Sequence, residues 1–221
     1  MRTLTLEEAK SYYDRFGAKQ DSQSFYEAPA LQNLVANSHF DQAASVFEFG
    51  CGTGAFALEL LTKHLPSTVQ YRGVDISATM IQLALSRLAS FSERASVTLA
   101  SEGITILMGN DSVDRFVSNY VLDLLPKESV SKVLDEAHRV LRPNGLLCLV
   151  SLTKGVTAAS HLTMCVWRRL FSINPSWVGG CRPTELMDYL NLSQWQVHHR
   201  TVVVAWGIPS EVVVASPIKI G

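Results

Sequence analysis

The run Gly50-Cys51-Gly52-Thr53-Gly54 sets three glycines at alternate positions. It follows a short apolar segment, Val46–Phe49, and precedes a helical pattern carried by Ala55, Phe56, Leu58, Leu60 and Leu61. Glycines so spaced let the backbone bend sharply and approach a ligand, while the free N–H groups at the helix start face it. Asp75 stands 21 residues beyond Gly54, in Val74-Asp75-Ile76-Ser77. A carboxylate at that remove, at the end of a second strand, can accept both hydroxyls of an adenosine ribose. The alternative is a helix cap, although Ser77 can already fill that role. Glu48 lies inside the apolar segment, where a buried carboxylate needs partners. It could accept hydrogen bonds from the glycine loop or orient a cofactor's ammonium group through water. Ser101-Glu102-Gly103 could read an adenine edge, with Glu102 accepting from the exocyclic amine; a solvated loop acid is the alternative reading. Asn119 and Tyr120, within Ser118–Asp123, could line the labile end of such a cofactor.

These residues need a frame that brings strand ends together, and the pattern supplies one. The expected strands are Val46–Phe49, Val69–Val74, Val97–Ala100, Asp114–Val121 and Leu146–Leu152. Between them lie helical patterns over Ala55–Leu65, Ser77–Phe91 and Lys127–Leu141, with Pro143-Asn144-Gly145 as a turn. Alternation of this kind predicts a parallel, doubly wound α/β sheet. Two helices precede it, Leu6–Phe16 and about Pro29–Ala36, Pro29 suiting a first helical turn. After it, Ala158–Phe171 and Pro183–Leu190 read as helices, and Gln196–Trp206 and Glu211–Ala215 as strands. The link Gly207–Ser210 is short enough only for antiparallel neighbours, so the sheet is expected to end in an antiparallel hairpin.

The chain has 221 residues, 47% of them hydrophobic, which suits a sizeable core and excludes disorder. Its 19 basic and 20 acidic residues leave a net charge of −1, so no basic excess points to nucleic acid or an anionic membrane. The four cysteines form no C-x-x-C pair; no metal and no disulfide framework are expected. The first residues, MRTLTLEEAKSYYDRF, contain acids and no apolar h-region, and no apolar run reaches spanning length. A cytoplasmic protein without stable membrane insertion, monomeric or homodimeric, is the expectation.

Together, Val46–Phe56, Val74-Asp75, Ser101–Gly103, Arg115–Leu125 and Arg139–Leu152 resemble the class I S-adenosylmethionine-dependent methyltransferases. The similarity is to the ubiquinone- and menaquinone-biosynthesis type of small-molecule enzyme. The resemblance implies a seven-stranded, mostly parallel Rossmann-like sheet with an antiparallel terminal hairpin and an N-terminal helical cap. It implies one domain: cap 1–44, cofactor-binding core 45–152, substrate-side insertion 153–194 and hairpin 195–221. It implies that Glu48, Gly50, Cys51, Gly52 and Gly54 hold the methionine part, Asp75 the ribose, and Ile76 and Met80 the adenosyl side. Ser101, Glu102 and Gly103 would meet the adenine, Asn119 and Tyr120 the reactive end, and Tyr13 the cofactor carboxylate. The family's third-strand motif has Asp then Ala, where this chain has Glu102 then Gly103.

A sulfonium methyl is already activated, so the protein mainly holds a nucleophile in line and excludes water. The acceptor could be an O, N, S or C nucleophile, and the aromatic content of the insertion favours an apolar or flat one. Tyr12, Tyr26, Trp167 and Arg182 are candidates for its wall. His161 and Tyr13 are the candidate catalytic groups, His161 because imidazole titrates near neutrality. Two other readings stay open on the residues alone: a nicotinamide-dependent oxidoreductase, which shares the glycine turn and Asp75, and a non-catalytic cofactor-binding subunit.

Overall fold

The computed structural model describes residues 3–100 and 104–219. Seven strands form one sheet: β1 (Ser45–Phe49), β2 (Gln70–Asp75), β3 (Ala95–Leu99), β4 (Val113–Asn119), β5 (Leu141–Leu152), β6 (Trp195–Ala205) and β7 (Ile208–Pro217). Their spatial order is β3-β2-β1-β4-β5-β7-β6. The first five run parallel, and β7 enters antiparallel between β5 and β6. The order reverses between β1 and β4, which is where an open α/β sheet leaves a crevice beyond its carboxyl ends.

The central strands are apolar on both faces because both faces are covered. On one face, Val46, Val117, Cys148, Val150 and Val214 pack under α2 (Ser24–Asn37), α3 (Ala55–Glu59) and α4 (Ala78–Arg87). On the other, Phe47, Phe116, Leu147, Leu149 and Val213 pack under α5 (Lys127–Val140), which contributes Val130, Val133, Leu134 and Ala137. Glu48 points to the first face and is 2% exposed.

Several boundaries differ from the sequence reading, each for a physical reason. Helix α2 begins at Ser24, so Pro29 is its sixth residue and not its start. Tyr26, Ala30 and Leu34 recur every fourth residue and are all buried, and that packing outweighs the backbone hydrogen bond that proline forfeits. The third helix is α-helical only to Glu59 and continues as a π turn, Leu60–His64. The expected turn at Pro143–Gly145 is a bulge inside β5: Leu141 faces Val113 and Leu146 faces Arg115. The hairpin turn is Trp206-Gly207, both at positive φ (54° and 78°), the geometry that matches strand twist. Ile208, Pro209 and Ser210 therefore belong to β7. The expected helix at Pro183–Leu190 is a single 3₁₀ turn, Leu186–Asp188.

Helix α1 (Leu6–Phe16) opens with a capping box: Glu8 N–H donates to Thr5 Oγ1 (3.1 Å) and Thr5 N–H to Glu8 Oε2 (2.8 Å). It is docked by Asp14, which accepts from Ser77 Oγ (2.6 Å) and Thr79 N–H (3.2 Å) at the start of α4. The 3₁₀ segment that follows, Gly17–Gln23, is held by Asp21. Asp21 accepts from Arg87 Nη2 (2.5 Å) and Thr53 Oγ1 (2.6 Å). Alpha-helical cap and glycine turn are thus joined through three side chains. Arg87→Ala is expected to cost at most about 1 kcal/mol of global stability, since the ion pair is partly exposed. Amide hydrogen exchange should instead accelerate locally, over residues 17–23.

Candidate functional site

Beyond the carboxyl ends of β1, β2 and β4 lies a cavity of about 800 Å³. The glycine turn forms its floor. Gly50, Gly52 and Gly54 all have positive φ (80°, 52° and 75°). A Cβ on Gly50 would sit 2.3 Å from Val121 Cγ2, whereas nothing lies within 4 Å of one on Gly52. The first glycine is therefore required by packing, and the second leaves open space where a ligand can approach the backbone. The turn is fixed by Gly50 and Cys51 N–H groups donating to Val74 O (2.8 and 2.9 Å).

Asp75 closes this arrangement. Its carboxylate accepts from Gly52 N–H (2.9 Å) and from Ser77 N–H (2.9 Å). Burial raises its pKa, opposed by those backbone donors. Asp75 is thus both the structural brace of the turn and a cavity-lining carboxylate. Ile76 and Met80 line the same side.

Glu48 reaches the cavity from within β1 and accepts from Tyr71 Oη (2.5 Å). Burial pushes its pKa up to about 7. Asn119 ends β4 beside it; its buried amide has no well-formed hydrogen bond among the described residues, yet it lies close enough to Glu48 to draw that carboxyl's pKa down against burial. Tyr120 follows at φ 55°, and its hydroxyl is 2.8 Å from Ser210 Oγ. A buried amide with spare hydrogen-bonding capacity beside a carboxylate without a counter-charge suits a ligand that brings both hydrogen-bond donors and positive charge. An S-adenosyl cofactor carries such a group in its methionine ammonium, so the residues present fit it.

Of the cap residues, Tyr13 lines the cavity, and its hydroxyl donates to Gly179 O (3.2 Å). Burial raises its pKa well above the ordinary phenol value, so at neutral pH it is a hydrogen-bond donor and not a base. His161 was the other expected catalytic group, and it lies on the exposed face of α6 (Ala158–Ile173), outside the cavity wall. The helix turns it outward because Met164 and Phe171 occupy the inner face. The structure places the four expected acceptor residues away from the cavity wall. Tyr26 is buried in the core against Tyr120, Trp167 Nε1 donates to Cys181 O (2.8 Å), and Arg182 donates to Leu125 O. Tyr12 stacks on Phe16. None of these four lines the cavity; each serves packing or loop stapling. Ser101, Glu102 and Gly103 lie outside the described residues.

Sequence reasoning missed Gln20, Asp21 and Glu27 on the cap side, together with Asp123 beneath the site. Glu27 lines the cavity, its Oε1 is buried without a partner, and burial pushes its pKa up to about 7. Asp123 is fully buried, also raised to about 7 by burial, and accepts from Leu152 N–H (3.2 Å). Only a helix boundary set at Ser24 would have exposed Glu27 as part of an inward face.

The comparisons with known proteins agree with this geometry. Residues 46–145 match a family model described as "Methyltransferase domain". The chain is 30% identical over 150 residues to the tRNA N(3)-methylcytidine methyltransferase Mettl2 of Drosophila melanogaster, covering 63% of this chain and 46% of that protein. It is 29% identical over 119 residues to carboxy-S-adenosyl-L-methionine synthase of Chromohalobacter salexigens, covering 54% and 44%. The chain thus spans about half the length of the curated relatives it matches. Geranyl diphosphate C-methyltransferase from Streptomyces coelicolor A3(2), solved with Mg2+, geranyl diphosphate and S-adenosyl-L-homocysteine, has the same fold: TM-score 0.71, 11% identity, 99% of this chain and 100% of that one.

A raised carboxyl is bound more tightly to its proton in the folded chain than in the unfolded one. The folded state therefore loses stability as pH rises from the unfolded value of Glu48, near 4.5, towards about 7. Glu48→Gln is expected to stabilise the ligand-free protein at pH 8 by roughly 1–3 kcal/mol and to flatten that part of the profile. Thermal melts from pH 4 to 8 measure both.

Proposed function

We propose that this chain, which belongs to the class I S-adenosylmethionine-dependent methyltransferase family, methylates a small-molecule acceptor enclosed beneath its N-terminal cap. The observation that carries this reading is the cavity itself. It joins the glycine turn to a chamber walled by Leu4, Leu6, Ala9, Ala28 and Leu31 of the cap. A volume of about 800 Å³ is in the upper range of small-ligand sites. The near-neutral charge favours the same class, because tRNA binding ordinarily rests on many cationic phosphate contacts.

In this reading, Gly50, Cys51, Gly52 and Gly54 bring backbone close to the methionine part, and Glu48 and Asn119 hold its ammonium group. Asp75 holds the ribose with the faces of its oxygens left free by Gly52 and Ser77. Ile76 and Met80 pack against the adenosyl group. The cofactor supplies a methyl already activated on positive sulfur. What the chain adds is position and dryness: Tyr120 and Val121 border the reactive region, and α1 and α2 keep water out. Tyr13, held neutral, donates a hydrogen bond at that edge.

Calorimetry with S-adenosylmethionine, S-adenosylhomocysteine and NAD tests the cofactor half. Binding of the first two is expected, and binding of NAD alone overturns it. Asp75→Ala should weaken cofactor binding at least tenfold, the scale of about one lost charged hydrogen bond. Methyl transfer to a panel of thiols, phenols, amines and carbon acids, with bulk tRNA alongside, tests the acceptor half. Methylation of tRNA and of no small acceptor overturns it.

A further inference from the structure

Glu27 is a charged group without a counterpart. It lies on α2, lines the cavity, and makes no ion pair among the described residues. We propose that Glu27, with Gln20 in the same cavity wall, forms a subsite for a protonated amine, and that the acceptor is therefore an organic ammonium compound. The inference rests on reading the chamber as an acceptor site.

The nearest donor, the Tyr26 hydroxyl, is shared between Glu27, whose pKa it draws down against burial, and Gln23, and it leaves Glu27 Oε1 without a partner. Gln23 Oε1 accepts from both Gln20 Nε2 (2.9 Å) and Tyr26 Oη (3.3 Å). That leaves Gln20 Oε1 as a second buried acceptor without a partner, lining the same cavity. The titratable groups that act on Glu27 are Tyr26 on its own helix, Asp21 on the 3₁₀ segment, Tyr120 and Asp123 after β4, and Cys181 after α6. None is a cation. The nearby arginine, Arg87, is bound to Asp21 and Thr53. Two unpartnered acceptors in a field of acids and phenols are complementary to an ammonium ion, which donates hydrogen bonds and supplies the missing charge. A neutral hydroxyl would meet one of those needs, and an anion neither.

Burial holds the Glu27 carboxyl near 7 in the free protein. An ammonium ion favours its ionised form, so binding below pH 7 must expel a proton. Affinity should rise roughly tenfold from pH 6 to pH 8 for an amine that stays protonated throughout. The test is calorimetry with benzylamine, benzyl alcohol and benzoate on the full chain, with and without S-adenosylhomocysteine, at pH 6 and pH 8. Benzylamine should bind with that pH dependence, release protons at pH 6, and exceed both other probes. Glu27→Gln should lose benzylamine at least tenfold and lose the pH dependence, yet bind S-adenosylhomocysteine within about twofold of wild type. Glu27→Asp keeps the charge and should keep the pH dependence, which guards against a misfolded amide variant. Equal binding of all three probes, or a pH dependence that survives Glu27→Gln, overturns the proposal. A tenfold loss of S-adenosylhomocysteine in Glu27→Gln also overturns it, by assigning Glu27 to the cofactor. Amine binding as described with no S-adenosylhomocysteine binding in wild type would leave the subsite standing and remove the methyltransferase reading.

Discussion

The hydrogen bond from Gly52 N–H to the Asp75 carboxylate is the joint on which the site depends. It ties the middle of the glycine turn to the end of β2. The other oxygen of Asp75 accepts from Ser77 N–H at the entry to α4. Ser77 Oγ in turn donates to Asp14 of α1 and caps Met80 N–H. One carboxylate thereby fixes the turn and the strand end, and through Ser77 the helix start and the cap. Gly50 completes the joint from the other side, because only a residue without Cβ lets Val121 close over it. The open space before Gly52 is what this bracing preserves: a backbone edge presented to a ligand, with no side chain covering it.

The same construction concentrates acids in a dry place. Glu48, Glu27 and Asp123 are each raised to about 7 by burial, and among the described residues none makes an ion pair. In the free protein this is a standing cost, since an ionised carboxylate in a poorly solvated site has lost water and gained hydrogen bonds but no counter-charge. A ligand that carries positive charge offsets that cost only in the folded state, so its binding free energy appears directly as stability. Stability has been given up where binding needs it. The contrast is Glu211, as buried in β7 as Glu48 and Asp123 are in the site and more so than Glu27, but paired with Arg200 Nε (2.7 Å) and Leu186 N–H, so that its carboxylate is satisfied.

How much of this was legible in the sequence follows from the range of the forces involved. The glycine turn, Asp75 and Glu48 were legible because local backbone geometry dictates residue type there. The sheet and its antiparallel end were legible because short continuous apolar runs alternate with helical patterns and the hairpin link is short. His161, Trp167 and Arg182 lie outside the cavity wall, which residue type alone does not reveal: Met164 and Phe171 take the inner face of α6, and Leu125 O holds Arg182. Tyr26 is an aromatic of the cap whose type suits a wall and whose place is the core. Glu27 was hidden behind Pro29, whose ordinary place at a helix start masked the turn that carries the carboxylate.

The cap therefore decides what the core cannot. The stretch shared with the methyltransferase family model, 46–145, contains the turn, Asp75 and Asn119, and ends before the terminal hairpin. Proteins named for tRNA methylation and for making a carboxylated cofactor both match this chain, each over a part of its length. The common stretch is thus compatible with very different acceptors. Tyr13, Gln20, Glu27 and the apolar wall from Leu4 to Leu31 all lie outside it. Asp14 and Asp21 clamp α1 and the 3₁₀ segment to α4, and α2 is held by its own buried face on the sheet, so the cap wall is fixed partly by the same joint that shapes the cofactor turn. A change in acceptor can then arise by altering residues on α1 and α2 while the clamp and the turn stay as they are.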